Sequence, residues 1–173
     1  MKNVFFDSKL TTIEEAKIPI NSLAFTLGAS VFEAVRVFYR KNNDDYILLN
    51  VKKHVERLFQ SMKLMRMYPS FNKNDVVHGI EQLISECNTK NNGYIRITAY
   101  VNSPSPGSSV YDPKNVTTMF CITYMEKGQL PEYLEGIHCC TSSWTRISDN
   151  VLPPRAKSAC NYENTRLAGF EAL

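Results

Sequence analysis

Residues 94–101, Tyr-Ile-Arg-Ile-Thr-Ala-Tyr-Val, alternate without a break. Tyr94, Arg96, Thr98 and Tyr100 fall on one side of an extended chain, and Ile95, Ile97, Ala99 and Val101 on the other. A period of two with one wholly apolar side specifies a strand buried on one face, because a helix would scatter both sets around its axis. The apolar side has to meet a core. The opposite side, carrying an arginine and two phenols, is left for chemistry.

Other segments supply partners for that strand. The run 31–39, Val-Phe-Glu-Ala-Val-Arg-Val-Phe-Tyr, is rich in β-branched and aromatic residues, and after the polar loop Arg40, Lys41, Asn42 and Asn43 a second run covers 44–50, which together predict a β-hairpin. Phe32 and Arg36 share a face of its first strand, while Glu33 leaves the opposite face and reads as structural. A Pro, Ser and Gly loop at 103–109 precedes another strand at 117–124.

Two helices are expected between the hairpin and residue 94. Val51, Val55, Leu58, Met62 and Met65 recur at spacings of three and four, with His54, Arg57 and Lys63 on the other faces. Arg57 adjoins Leu58 and so lies at the edge of the apolar stripe. Val76, Ile80, Leu83 and Cys87 mark the second helix, capped near Asn72 or Asn74 and stopped around Asn91, Asn92 and Gly93. Helices and strands mixed in this order make an α+β fold.

Gly128 and Pro131 interrupt the pattern, so a linker is expected over 126–133, dividing a first domain at 1–125 from a second unit at 134–173. That unit begins with a strand-like run at 136–144, passes Pro153 and Pro154, and ends in a helix that Asn161 could cap. A domain that ends in a helix without a closing strand is expected to be incomplete, as if the chain were cut inside its second domain.

Composition narrows the classes of function. The formal charge of +3 comes from 20 basic and 17 acidic residues spread along the chain, without a basic block or nucleic-acid motif, so no nucleic-acid partner is expected. No apolar run approaches the roughly 18 residues of a membrane span, and residues 1–10 lack a secretory pattern, which together predict a cytoplasmic protein. Cys87, Cys121, Cys139, Cys140 and Cys160 form no CxxC pair and read as free thiols, with no metal expected.

Five segments occur in an order that resembles a known family: GASVFEAVRVF (28–38), HVERLFQSMKL (54–64), YIR (94–96), GIHCCTSSWTR (136–146) and AKSACNYENTRLAGFEA (156–172). Together they resemble the fold-type IV enzymes dependent on pyridoxal 5′-phosphate (PLP), most of all the branched-chain amino-acid aminotransferases. The resemblance spans nearly the whole chain. It implies a small N-terminal α/β-type domain followed by the start of the larger, cofactor-binding second domain.

The same resemblance assigns roles. Lys157 would hold the cofactor covalently and shuttle the substrate's α-proton, a task for an amine that can be unmasked from its proton. Tyr162 would direct its phenol at the cofactor's ring oxygen, and Arg57 would take the phosphate, for which a planar guanidinium is suited. Phe32 and Trp144 would wall an apolar substrate pocket. Tyr94 and Arg96 share a strand face, and the arginine would receive the distal carboxylate of glutamate, so that one site accepts leucine-like and glutamate-like side chains. Arg36 would support the site. Small-molecule amino acids and 2-oxo acids would be the partners, in a homodimer.

Two positions depart from the family pattern. Leu27 stands where an aromatic, often tyrosine, usually precedes the glycine, and Cys160 replaces a small residue before Asn161 and Tyr162. The acidic residue that pairs with the cofactor's ring nitrogen, and the loops that complete its phosphate cup, belong downstream of the lysine and beyond residue 173. A chain of this length alone is expected to bind PLP poorly. Alternative readings are another reaction of the same superfamily (D-amino-acid or (R)-amine transamination, or aminodeoxychorismate lyase chemistry) and a non-catalytic truncated domain.

Overall fold

The computed structural model describes residues 3–86, 89–104, 111–128 and 135–173. A six-stranded antiparallel sheet with strand order β2-β1-β6-β5-β3-β4 carries two long helices on one face. Its strands are β1 (Asn3–Phe6), β2 (Lys9–Thr12), β3 (Ser30–Arg40), β4 (Asp45–Leu48), β5 (Gly93–Val101) and β6 (Thr118–Glu126). The helices are α1 (Leu23–Thr26), α2 (Val51–Leu64), α3 (Lys73–Ser85) and α4 (Asn161–Glu171). The α+β expectation holds. No helix among the described residues is long and apolar enough to cross a membrane.

The alternation in β5 sets the layering. Ile95, Ile97, Ala99 and Val101 are buried together with Val35 and Val37 of β3 and Phe120 and Ile122 of β6, beneath Val55, Leu58 and Met62 of α2 and Val76, Ile80 and Leu83 of α3. Each fully buried leucine or isoleucine contributes roughly 2 kcal/mol, so this layer is the main source of stability. The register Phe32↔Thr98↔Cys121, Ala34↔Arg96↔Thr123 and Arg36↔Tyr94↔Met125 aligns the other set of side chains across three strands on the face turned away from the helices.

The β3–β4 hairpin and both long helices form where the sequence places them. Asn72 is the N-cap of α3, its side-chain oxygen accepting from the Asn74 and Asp75 amides while the Asp75 carboxylate accepts from Asn72 N–H in a capping box. The helix ends at Ser85, before the Asn91–Gly93 stop, and Cys87 lies outside the described residues. Parts of the 103–109 loop and of the 126–133 linker also lie outside them.

Several elements differ from expectation, among them the short α1, which the sequence patterns do not predict. The β1–β2 hairpin was not anticipated, and its two-residue turn uses Asp7 and Ser8, both at positive φ, in place of the usual glycine. Residues 136–144 form no strand and are largely exposed, because no ladder among the described residues offers their backbone a partner. Asn161 does not cap α4. The N-cap is Cys160, and Asn161 instead turns its amide inward to donate to the carbonyls of Pro153 and Ala156, at 3.3 and 3.1 Å.

Gly79 lets α3 approach the sheet. A Cβ there would lie 2.9 Å from the Phe5 ring and 3.0 Å from Ile122 Cδ1, both in the core. Glycine to alanine inside a helix ordinarily stabilises by about 1 kcal/mol. Here the clash reverses the sign, and Gly79→Ala is expected to destabilise by about 1–3 kcal/mol in urea unfolding. A gain in stability would show that α3 can move off the sheet.

Candidate active site

Lys157 is held by its backbone from two sides. Its N–H donates to Ser61 Oγ of α2 at 3.1 Å, and its carbonyl accepts from Phe32 N–H of β3 at 2.9 Å. Ala159 N–H donates to the Ser30 carbonyl at 3.1 Å, and Val31 forms a β-bridge with Ser158. The lysine segment thus continues the sheet along the end of β3 that β4 does not cover. Ala156 and Ser158 on either side are buried, so the segment is anchored while the Lys157 side chain points out.

That side chain enters a cluster of rings and cations. Nζ donates to the Tyr162 hydroxyl at 2.5 Å and stands 4.8 Å from the Phe32 ring centroid and 5.1 Å from that of Tyr162. The two rings are 4.8 Å apart, and the Arg96 guanidinium lies 3.8 Å from the Phe32 centroid. Phe32 is therefore a common wall for the lysine and the arginine, and cation–π attraction favours both neighbours.

Beside this cluster is a cavity of about 160 Å³ whose lining includes Arg57, Arg146, Arg155, Lys157 and Tyr162. Arg57 is paired with Glu33 and Arg155 with Asp149, the latter at 3.3 Å. Arg146 donates to the Asn161 carbonyl at 3.1 Å, which leaves positive charge in excess at the cavity wall. Asn161 also lines it, and its buried Oδ1 has no hydrogen-bond partner among the described residues. A cationic recess with one open acceptor suits a phosphate and an accompanying water.

Arg57 shares a helix face with His54 and Ser61, at positions i−3 and i+4. Glu33 Oε1 accepts from Arg57 Nε at 2.5 Å and Oε2 from Nη2 at 2.7 Å, with His54 Nδ1 2.9 Å from Oε2. Burial would push the Glu33 carboxyl up, but the hydrogen bonds and charges of Arg57 and His54 outweigh it and hold the group below its ordinary value. Hydrogen bonding to Glu33 in turn raises Arg57.

Not every expected residue joins the cluster. Tyr94 lies two positions along β5 from Arg96, with the Arg36 and Lys127 cations each 5.7 Å from its ring centroid, and Arg36 Nη2 donates to the Gly128 carbonyl. Trp144 is half exposed in a loop beside α4, where its N–H donates to Ser142 Oγ and no ring pair among the described residues includes it. The adjoining serines, Ser142 and Ser143, are bonded to the Glu171 carboxylate. Ser61, Arg146 and Arg155 have no role in the sequence reading, and Asn161 enters it only as a helix cap. For Ser61 a signal existed, its i+4 spacing from Arg57.

A thiol also faces this side of the sheet. Burial pushes Cys121 up to about 11, against the opposing charge of Arg96, so it is a neutral thiol rather than a nucleophile. Cys160 packs on the turn before β3. Gly28 adopts φ +64°, and a Cβ there would come within 2.5 Å of Cys160 Sγ, which itself donates to the Gly28 carbonyl at 3.3 Å.

A family model described as amino-transferase class IV matches residues 30–173. A probable branched-chain-amino-acid aminotransferase of Aquifex aeolicus is 30% identical over 173 residues, which is 100% of this chain and 55% of its own length. The branched-chain-amino-acid aminotransferase of Escherichia coli K12 is 29% identical, over 98% of this chain and 54% of its own. Among solved structures, the branched-chain aminotransferase of Thermoproteus uzoniensis with norvaline superposes with a TM-score of 0.88 at 25% identity, covering 98% of this chain and 55% of that one. The PLP form of the Thermobaculum terrenum enzyme gives 0.82 at 28% identity, covering 99% and 55%. The chain spans about half the length of the curated relatives it matches.

Because the Glu33 carboxyl is held low in the folded state, the unfolded chain binds its proton more readily. Its stabilising effect is present above the ordinary value of 4.5 and is lost as pH falls below it. The melting temperature is expected to drop as pH falls below about 4.5, and to drop less steeply in Glu33→Gln, as thermal unfolding monitored by circular dichroism would register. Equal slopes would contradict the role given to this carboxylate.

Proposed function

The chain belongs to the class IV amino-transferase family, and on that premise we propose that it carries the cofactor lysine and substrate-facing sheet of a PLP enzyme transferring amino groups from L-branched-chain amino acids to 2-oxoglutarate. The observation that carries the proposal is Lys157 Nζ, 2.5 Å from the Tyr162 hydroxyl at the wall of a recess lined by arginines. PLP, when bound, supplies an electron sink for the substrate's α-carbon.

The chain's own residues have separate tasks. Lys157 would hold the cofactor covalently through Nζ, and the same amine is the group that would move the proton at the substrate α-carbon. Tyr162 orients Nζ through its hydroxyl. Arg57, with Arg146 and Arg155 beside it, takes the phosphate. Phe32 forms an apolar wall that keeps water from the lysine, and Arg96, stacked on the same ring, receives a second carboxylate when glutamate is the donor. Tyr94 extends that pocket along β5.

We take the same enzyme to be a cytoplasmic homodimer with domains at 1–125 and 134–173 joined by 126–133. Support for the division is that the sheet is complete by Glu126, while later residues return to it through the short bridge at Ser158. Exposed Ile20 and Phe25 offer apolar surface to a second subunit, and Cys121, Cys139, Cys140 and Cys160 are free thiols.

Borohydride reduction of the PLP-loaded protein, followed by peptide mapping, is expected to leave the pyridoxyl label on Lys157, and a label on another lysine overturns the assignment. Lys157→Ala is expected to lower leucine turnover at least about a hundredfold. Arg96→Ala should cost glutamate turnover more than leucine turnover, in parallel assays that also include D-alanine, a chiral amine and aminodeoxychorismate. Preference for any of the last three over L-leucine would move the reaction to another branch of the superfamily.

A further inference from the structure

Glu33 occupies a position where an apolar residue would be expected. Its side chain has no exposure and leaves β3 on the helix-facing side between Val31 and Val35, both fully buried. A carboxylate buried among valines is costly unless it is paired and hydrogen-bonded. Here both oxygens are engaged, with Arg57 Nε and Nη2 on one edge of the guanidinium and His54 Nδ1 on the remaining side of Oε2. The arrangement fixes the plane of a guanidinium whose own side chain is 52% exposed.

A guanidinium has five N–H donors in a rigid fork. Two of Arg57's are taken by Glu33, and the other three lie on the edges turned away from it, on a residue that lines the cavity beside Lys157. We propose that Glu33 is a positioning residue for the cofactor phosphate, locking Arg57 so that its free edge faces the recess. The proposal rests on the reading of that recess as the phosphate site.

Two effects of Glu33 oppose each other. Its negative charge partly neutralises Arg57, and on charge alone its removal would tighten phosphate binding. Its hydrogen bonds fix a half-exposed side chain with four rotatable bonds, and on orientation alone its removal would weaken binding. Orientation prevails in this geometry, because two charge-assisted bonds on one rigid edge determine where the other edge points, and without them Arg57 can swing into solvent.

The test compares PLP with pyridoxal, which lacks the phosphate, by absorbance titration of the apoprotein in a form that carries the whole second domain. In Glu33→Gln the affinity for PLP is expected to fall about tenfold or more, with pyridoxal affinity unchanged. Glu33→Asp, which keeps the charge but withdraws it from Arg57, should show the same selective loss and serves if the glutamine variant does not fold. In an Arg57→Ala background neither change should matter further. An equal loss for both ligands, or tighter PLP binding, overturns the role of Glu33 alone. A wild-type protein that does not prefer PLP to pyridoxal overturns the reading of the recess, and the proposal with it.

Discussion

The arrangement around the lysine depends on a short stretch of backbone pairing. Phe32 and Ser30, at the start of β3, exchange hydrogen bonds with the 157–159 segment, and Ser61 of α2 accepts the Lys157 amide from the other side. A residue 126 positions away in the chain from Val31 is thereby treated as part of the sheet. This is why one phenylalanine can touch Lys157, Tyr162 and Arg96 together: its own amide is bonded to the lysine's carbonyl, and its ring projects beside β5.

Much of this was legible in the sequence because the sheet is two-faced. The period-two pattern of 94–101 separated core from chemistry, but it took the register with β3 and β6, which only the folded sheet provides, to set Phe32, Arg96 and Cys121 on one side. The helix stripes were equally plain, since their apolar residues are the ones the core buries. What the pattern could not convey was depth. Glu33 is polar on an apolar face, a conflict that only pairing with Arg57 and His54 resolves, and those partners lie on an element whose docking angle is set by packing.

Other misses have local causes. The Asp7-Ser8 turn carries positive φ at both residues without a glycine to announce it. Asn161 looked like a cap because asparagine usually competes for the first turn's amides, but here the turn from Pro153 to the buried Ala156 presents carbonyls that its amide satisfies. The segment at 136–144 has strand-like residues and no neighbouring strand, and propensity alone does not satisfy a backbone.

Gly28 and Cys160 share one small volume. The left-handed turn and the 2.5 Å approach mean that residue 28 cannot gain a side chain while sulfur occupies its present place, whereas residue 160 can lose its thiol at any time. Trading Cys160 for a smaller residue would clear the space, yet the left-handed backbone would still strain any L side chain at position 28, so the turn and the sulfur each demand the glycine.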